Sequence, residues 1–175
     1  MDVLNNAKLR ALLIGRYLME DPNLNEGNVL ELMILYNGVI APGDRLKEND
    51  LRSRRRFQHI LPFRQVADYI YVTRFRRSTP YVGNLIGGRD HSTVINSVKR
   101  ITNGYEAHKD VLDLEYAGNL EKMITDVSKF RNGRELFEDN YQFVVLKDGT
   151  NEALFTIGLV KNTLANIWKI DRLFP

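Results

Sequence analysis

The sequence predicts a mainly α protein with a helix-turn-helix core, extra N-terminal helices and a small C-terminal α+β segment that contains a β-hairpin. Three observations predict this fold class. Apolar residues recur at helical spacing through most of the first 130 residues. A short segment that begins near Pro80 is followed by Gly87-Gly88 and then by another helical pattern. Alternation around an Asp-Gly turn appears only after residue 140.

Length and composition narrow the class of protein. A chain of 175 residues can bury one ordinary core, or one core plus a small appendage. Its 43% hydrophobic and 27% charged content is typical of a globular protein, and no apolar run approaches the roughly 20 residues that span a bilayer. The chain has no cysteine, and its three histidines lack the spacing of metal ligands. We therefore expect no signal peptide, membrane segment, cofactor or metal.

Two helices are predicted in the N-terminal segment, residues 1–50. Residues 2–20 carry a broad apolar face, and Pro22 ends the pattern because proline disfavours the helical conformation at the residue before it. A second helix fits residues 28–36, and Asn37-Gly38 is a typical stop. Neither helix contains a paired acid, a nucleophile or a ligand set. We interpret both as core-forming.

Positive charge is concentrated in the middle of the chain. Residues 51–110 hold twelve Lys and Arg against four Asp and Glu, a net charge of +8. The remainder holds 13 against 18, a net charge of −5. A basic block inside an acidic chain indicates a surface for a polyanion such as nucleic acid, and solvated surface charge is the alternative.

Residues 51–110 show the order helix, short helix, turn, helix. Apolar spacing predicts a helix from Arg64 to about Phe75. Ser78 and Pro80 begin a short helix. Proline is tolerated in the first turn because the N–H that it lacks would have no hydrogen-bond partner within the helix. Gly87-Gly88 then turns the chain. We expect the apolar side chains of the short helix to face inward: Tyr81, Val82, Leu85 and Ile86.

The helix after the glycine pair has a polar tip. Asp90 or Ser92 can cap it, because a short oxygen side chain accepts from the free N–H groups of a helix start. Its predicted buried face consists of Val94, Ile95, Val98 and Ile101. The side chains left at its exposed N-terminal end are Arg89, His91, Ser92 and Thr93. A recognition helix presents groups to the DNA major groove from this end.

The C-terminal segment, residues 111–175, is predicted to contain a helix and a hairpin. A helix is expected over residues 111–130, with residues 117–119 as poor helix formers that could break it. Alternating apolar residues around Lys147-Asp148-Gly149-Thr150 predict a β-hairpin at about residues 141–158. Residues 159–174 fit either a final helix or a further strand. The predicted division of the chain is therefore 1–50, 51–110 and 111–175.

Residues 87–94, Gly-Gly-Arg-Asp-His-Ser-Thr-Val, resemble a signature of the C-terminal DNA-binding domain (domain IV, a Trp-repressor-like helix-turn-helix) of the bacterial replication initiator DnaA. In that signature a Thr stands where this chain has Ser92. The resemblance covers about residues 51–105. It also rests on these residues: the basic run Arg54-Arg55-Arg56, the pair Arg64-Gln65, Ser78, Pro80 and Gly83 of the short helix, and Lys99-Arg100-Ile101.

The resemblance implies binding to double-stranded DNA. By position, Asp90, His91, Ser92 and Thr93 are expected to contact bases in the major groove. Arg56 is expected in the minor groove, and Pro80 against a thymine methyl group. Arg64, Gln65 and Arg89 are expected at the DNA backbone or nearby bases, with Arg54 and Arg55 beside them in the basic loop. These chemical types suit those contacts, since carboxylates accept from cytosine, methyl groups pack on thymine, and arginine favours a narrow minor groove.

The chain departs from the family in several places. Arg74 stands where an apolar residue is usual, Phe63 replaces a proline, and Thr79 replaces a leucine. The ATPase half of the family has no counterpart here, because the sequence contains no Gly-x-x-x-x-Gly-Lys-[Ser/Thr] phosphate loop. We therefore expect a DNA-binding protein that is not an enzyme, such as a replication or transcription factor, encoded by a bacterium, phage or mobile element.

A second hypothesis makes the chain a structural protein of a phage particle, with the DnaA-like domain used for packing between proteins. The flanking two thirds of the chain are unlike the initiator and apolar enough to need burial. Under either hypothesis other protein chains are expected partners, as a homo-oligomer or a larger assembly, and no membrane or small-molecule substrate is expected. The expected location is the bacterial (or host) cytoplasm, or the virion in the second case. An enzyme is disfavoured, because Asp90 and His91 are adjacent and project about 100° apart on a helix.

Overall fold

The computed structural model describes residues 3–119 and residue 123, and every helix and contact below lies in that part of the chain. Helices account for all of its regular structure, which confirms the mainly α fold class. Six helices have the following bounds: α1 Ala7–Glu20, α2 Val29–Ile40, α3 Glu48–Arg52, α4 Leu61–Thr73, α5 Thr79–Leu85 and α6 His91–Ala107. A seventh, α7, includes residues 109–119. The predicted hairpin at residues 141–158 lies outside the described residues.

α1 begins five residues later than predicted, at Ala7 rather than residue 2. The Asn6 side chain accepts a hydrogen bond from the backbone N–H of Leu9 at 3.1 Å, which caps the helix start. From there α1 packs along α4 and also contacts α2 and α6. Leu12, Leu13, Ile14 and Leu18 are fully buried on it, so this N-terminal helix shares a core with the helix-turn-helix. The division at residue 50 stays a prediction.

The expected stop of α2 at Asn37-Gly38 is wrong, because the helix continues to Ile40. Asn37 is fully buried, and its side chain is already committed to the protein interior. Its Oδ1 accepts from Arg10 Nε at 2.9 Å, and its Nδ2 donates to the Asp44 carbonyl. Arg10 also pairs with the Asp44 carboxylate. An amide held in this way cannot end the helix by bonding to its own backbone.

α7 packs on α1 through aromatic residues. Tyr116 stacks on Tyr17 with ring centroids 4.6 Å apart, and the Tyr17 hydroxyl donates to the Tyr116 carbonyl at 2.9 Å. The break considered at residues 117–119 is absent, since all three are helical. Leu112 and Tyr116 are buried at a spacing of four, which places them on one helix face. Packing along that face outweighs the poor helix propensity of Gly118.

Candidate nucleic-acid interface

α4, α5 and α6 form the predicted helix-turn-helix. Ser78 caps α5 by accepting from the Tyr81 N–H at 3.3 Å, and Pro80 lies in the first turn. α5 then crosses close to the start of α6. A Cβ added to Gly83 would lie 2.1 Å from the Arg89 carbonyl oxygen, a distance that no side chain tolerates. Gly83 therefore sets how closely α5 approaches the chain just before α6.

The turn between α5 and α6 depends on Gly87 and Gly88. Both have positive φ, +80° and +59°, which glycine adopts without steric cost. A Cβ on Gly87 would also meet the Arg52 carbonyl oxygen at 2.8 Å. The predicted glycine turn is thus present, and the segment after α3 packs directly against it.

The exposed tip, residues 90–93, forms the start of α6. Asp90 is the cap, as one of the two predicted candidates, and its carboxylate accepts from both the backbone N–H and the hydroxyl of Ser92. Those hydrogen bonds lower the pKa of the Asp90 carboxyl below its usual range. His91 and Ser92 are exposed and Thr93 is half-buried. The tip therefore offers a carboxylate, an imidazole and two hydroxyl groups to a partner.

The buried face of α6 differs from the predicted one. It consists of Val94, Ser97, Ile101 and Gly104, spaced at three, four and three residues. Ile95, which was expected inside, is 39% exposed, and Val98 is half-buried. Adjacent residues on a helix are about 100° apart, so a face centred between Val94 and Ser97 turns Ile95 toward solvent. The expectation for Ile95 was wrong.

The inward face of α5 also needs one correction. Val82 and Ile86 are buried as predicted, Leu85 is half-buried, and Tyr81 is 44% exposed. The Tyr81 ring lies under the Arg77 guanidinium at 5.2 Å, and its hydroxyl is 3.3 Å from a carboxylate oxygen of Glu26. Glu26, in the loop before α2, also makes two 2.6 Å hydrogen bonds with Arg77. These partners hold Tyr81 at the surface.

Arg89 lies beneath the turn and is paired with a buried carboxylate. The side chain of Asp68 on α4 is fully buried and that of Arg89 is 9% exposed. Arg89 Nη1 donates to Asp68 at 2.8 Å, Nη2 donates to its second oxygen, and Nε donates to the Ile86 carbonyl at 2.6 Å. Burial raises the pKa of the Asp68 carboxyl, and the hydrogen bonds from Arg89 oppose that rise. The pair fastens the turn to α4.

Arg64 is the largest fully buried side chain in the described part of the chain. Its guanidinium donates to three backbone carbonyls: Leu51 at 2.9 Å, Arg55 at 2.7 Å and Asp50 at 2.8 Å. Burial lowers the pKa of this guanidinium, and nearby Arg89 adds to the effect. We call Arg64, Asp68 and Arg89 the arginine layer. Arg64 holds the segment after α3 in place, and this segment carries the basic run.

The basic loop, Arg54-Arg55-Arg56, follows directly. Arg54 donates to the Gly87 carbonyl at 3.0 Å and to the Gly88 carbonyl at 2.5 Å, so the loop is attached to the turn before α6. Arg55 is exposed and lies over the Phe57 ring at 5.8 Å. Arg56 is exposed and forms no ion pair with any residue that the structure describes.

The predicted site residues therefore fall into two groups. Exposed or partly exposed ones lie around the tip and the loop: Arg54, Arg55, Arg56, Gln65, Pro80, Asp90, His91, Ser92 and Thr93. Arg64, which is buried, and Arg89, whose side chain is 9% exposed and pairs with Asp68, belong to the arginine layer. Sequence reasoning missed Asp68, although its signal was present: an acidic residue between Val66, Ala67 and Ile70 on the apolar face of a helix is buried and needs a cationic partner.

The fold and this surface are those of a helix-turn-helix domain with a basic loop beside its last helix. Residues 39–101 match the model of the family described as the bacterial dnaA protein helix-turn-helix. The match confirms the resemblance inferred from residues 51–105 and supports DNA binding by this part of the chain. It begins twelve residues earlier than that inferred segment and so takes in the end of α2.

Three curated relatives are chromosomal replication initiator proteins DnaA. The chain is 37% identical over 84 residues to that of Geotalea daltonii, which is 48% of this chain and 18% of the relative. It is 40% identical over 63 residues to that of Citrifermentans bemidjiense, 36% of this chain and 14% of the relative. It is 41% identical over 63 residues to the protein of Rhodopseudomonas palustris (strain BisB5), which is 36% of this chain and 13% of the relative. The chain thus spans less than a fifth of each relative, and no solved structure matches it.

The described residues contain neither a candidate membrane span nor a candidate metal site. No helix there is long and apolar enough to cross a membrane. No group of three or more His, Asp or Glu residues there is arranged to hold a metal ion.

Proposed function

We propose that this chain binds double-stranded DNA in a sequence-specific way, with the start of α6 in the major groove. One observation carries the proposal: the exposed tip is flanked by the basic loop, and Arg54 joins the two through the carbonyls of the turn. Asp90, His91, Ser92 and Thr93 supply the acceptors, donors and methyl group that base edges recognise. The similarity to DnaA proteins over residues 39–101 supports the same conclusion.

Affinity in this proposal comes from the exposed arginines. Arg55 and Arg56 neutralise phosphates and release counterions, which makes binding salt-dependent. Arg56 is the candidate for the minor groove, where a narrow groove strengthens the negative potential around a guanidinium. Pro80, in the first turn of α5, is proposed to contact a thymine methyl group. Gln65, near the start of α4, is proposed to contact the DNA backbone.

Arg64 and Arg89 take a different role in the proposal. The Arg64 guanidinium donates to three backbone carbonyls. The Arg89 guanidinium pairs with Asp68 and donates to the Ile86 carbonyl. We propose that they position the loop and the turn, so that Arg56 and the tip meet the duplex in a fixed relative geometry. Direct contacts from these two residues to DNA stay a prediction.

In this proposal the protein acts by binding DNA, without catalysis, as a replication or transcription factor in the bacterial cytoplasm. The tip does not favour hydrolysis, since Asp90 and His91 are adjacent and project about 100° apart. Oligomer formation, an origin in a phage or mobile element, and the alternative role in a virion stay predictions.

Selection of duplexes from a randomised pool tests the proposal. At moderate salt, the wild-type protein is expected to enrich a defined sequence. Arg56→Ala is expected to weaken binding to all enriched duplexes, whereas His91→Ala and Thr93→Ala relax the preference at single base pairs. Leu114→Ala is a matched control, because Leu114 is 74% exposed on α7, outside the proposed surface. A wild-type protein that enriches no duplex contradicts sequence-specific binding.

A further inference from the structure

The exposed face of α6 continues beyond its tip. With about 100° between neighbours, the residues opposite the buried face form one strip along the helix. Over residues 91–100, the part considered below, that strip consists of His91, Ser92, Ile95, Asn96, Lys99 and Arg100, and all six are exposed. Ile95 lies one turn after His91, about 6 Å further along the axis and about 40° around it. It therefore lies on the same side of the helix as His91 and Ser92, two of the residues proposed to contact bases.

Ile95 is the one apolar side chain in that strip, and it is 39% exposed. Single exposed apolar residues are common on proteins, and Leu114 is another. The position of Ile95 is what distinguishes it, because polar and basic side chains surround it on the strip. A β-branched residue also has lower helix propensity than most, so helix stability does not explain its presence there.

The major groove has a matching chemical group. Among base edges in that groove, thymine alone presents an apolar substituent, its C5-methyl group. Lys99 and Arg100 lie one turn beyond Ile95, where cations on the same strip can contact phosphates as the helix follows the groove. The strip thus combines polar groups at its start, an aliphatic group in its middle and cations at its far end.

We propose that Ile95 is a specificity-determining residue, which packs against the methyl group of a thymine adjacent to the base pairs contacted by the exposed tip. The inference rests on the proposed function. It extends base recognition by one helical turn and predicts a preference for a T·A pair at one defined position of the site.

Removal of single thymine methyl groups tests this inference. The site is first selected with the wild-type protein, and each thymine in it is then replaced by deoxyuridine, which differs only by that methyl. At one position, uracil is expected to weaken wild-type binding by about fourfold, the value for burying one methyl group. At the same position, uracil is expected to leave the affinity of Ile95→Ala unchanged. Any thymine contacted by Pro80 should keep its uracil effect in this variant.

Two further variants separate a local contact from a general defect. Ile95→Val keeps a branched aliphatic side chain and is expected to retain most of the uracil effect. Leu114→Ala, the control outside the strip, is expected to retain all of it. The circular dichroism and thermal midpoint of each variant establish that it is folded, and Ile95→Ser, which also lacks the aliphatic group, carries the test if Ile95→Ala is not folded.

The outcomes distinguish this inference from the proposed function. If the wild-type protein selects no duplex, both are overturned. If it selects a site, and uracil has the same effect on wild type, Ile95→Ala and Ile95→Val at every position, the inference about Ile95 is overturned while sequence-specific binding stands.

Discussion

Two regions of the helix-turn-helix use arginine in opposite ways. In the arginine layer, Arg64 is buried, the Arg89 side chain is 9% exposed, and their guanidinium groups donate to carbonyls and to Asp68. In the basic loop, Arg55 and Arg56 are exposed, and Arg56 has no ion-pair partner among the described residues. Charge counted along a sequence therefore overstates the charge available to a polyanion. Two of the twelve cations in residues 51–110 stabilise the fold that presents others.

The arginine layer also determines how the basic loop and the exposed tip are placed relative to each other. Arg64 holds α3 and the chain after it, through the carbonyls of Asp50 and Leu51 in α3 and of Arg55 beyond it. Arg54 joins that chain to the turn. The loop and the tip are thus attached to each other and to α4. Variants of the arginine layer should therefore affect stability first, whereas variants of the exposed Arg55, Arg56 and His91 should affect DNA binding first.

The largest expected effect is the loss of stability when Asp68, the carboxylate of the arginine layer, is removed. Asp68→Ala leaves the Arg89 guanidinium buried without its counter-charge, and removing one partner of a buried pair typically costs about 3–5 kcal/mol. We expect a loss of that size in the free energy of unfolding, measured by urea denaturation followed by circular dichroism. Asp113→Ala, which breaks the exposed pairs with Lys109 and Arg16, is the control and should change little. A loss below about 1 kcal/mol for Asp68→Ala contradicts the assigned burial.

The second expected effect contrasts the two arginines directly. Arg64→Met removes the donors of three backbone carbonyls and should lower the free energy of unfolding by about 2–4 kcal/mol. Arg56→Met removes an exposed side chain and should change it by less than about 0.5 kcal/mol. Equal effects of the two substitutions in the same denaturation experiment would show that the layer and the loop do not differ as described.

The third prediction concerns pH. Burial raises the pKa of Asp68 and Arg89 opposes the rise, so Arg89→Gln should raise the pKa further. A carboxyl whose pKa is higher in the folded state binds more protons there, so the stability it supports is present at low pH and declines as pH rises through that pKa. The destabilisation by Arg89→Gln should hence be larger at pH 7 than at pH 4.5. Urea titrations of wild type and variant at both pH values measure it, and a loss independent of pH contradicts the role of Asp68.

The smallest expected effect is on DNA affinity. Arg56→Ala should weaken binding to the selected duplex by about tenfold, or about 1.4 kcal/mol. Because one phosphate-neutralising cation is lost, the slope of log affinity against log salt should become shallower by about 0.9. Fluorescence anisotropy between 50 and about 200 mM salt measures both quantities. An unchanged slope would place Arg56 away from the duplex.

Local sequence signals predicted much of this site. The Pro80 start, the glycine turn with positive φ, and the Asp90 cap each depend on the backbone preference of one or two residues, and all three are observed. The family resemblance over residues 51–105 rests on the same stretch and is confirmed by the match at residues 39–101.

Other features could not be predicted because they depend on which faces meet. Val94 and Ile95 are equally apolar, and the contact of α6 with α4 and α5 buries the first and exposes the second. Asn37 is a typical helix stop by residue type, but Arg10 and Asp44 engage its amide and the helix continues to Ile40. Tyr81 was expected inside, and Glu26 from a distant loop holds it outside.

By itself, the sequence determined the mainly α class, the order of the helix-turn-helix and the polar tip at residues 90–93, because short-range preferences and periodic burial decide these. The tertiary structure alone decided which arginines are available to DNA. A guanidinium is charged in either environment, and whether it meets water, a carboxylate or a carbonyl depends on segments far apart in the chain, as Asp68 and Arg89 show. The exposure of Ile95 was decided in the same way, by the packing of α6 on its neighbours.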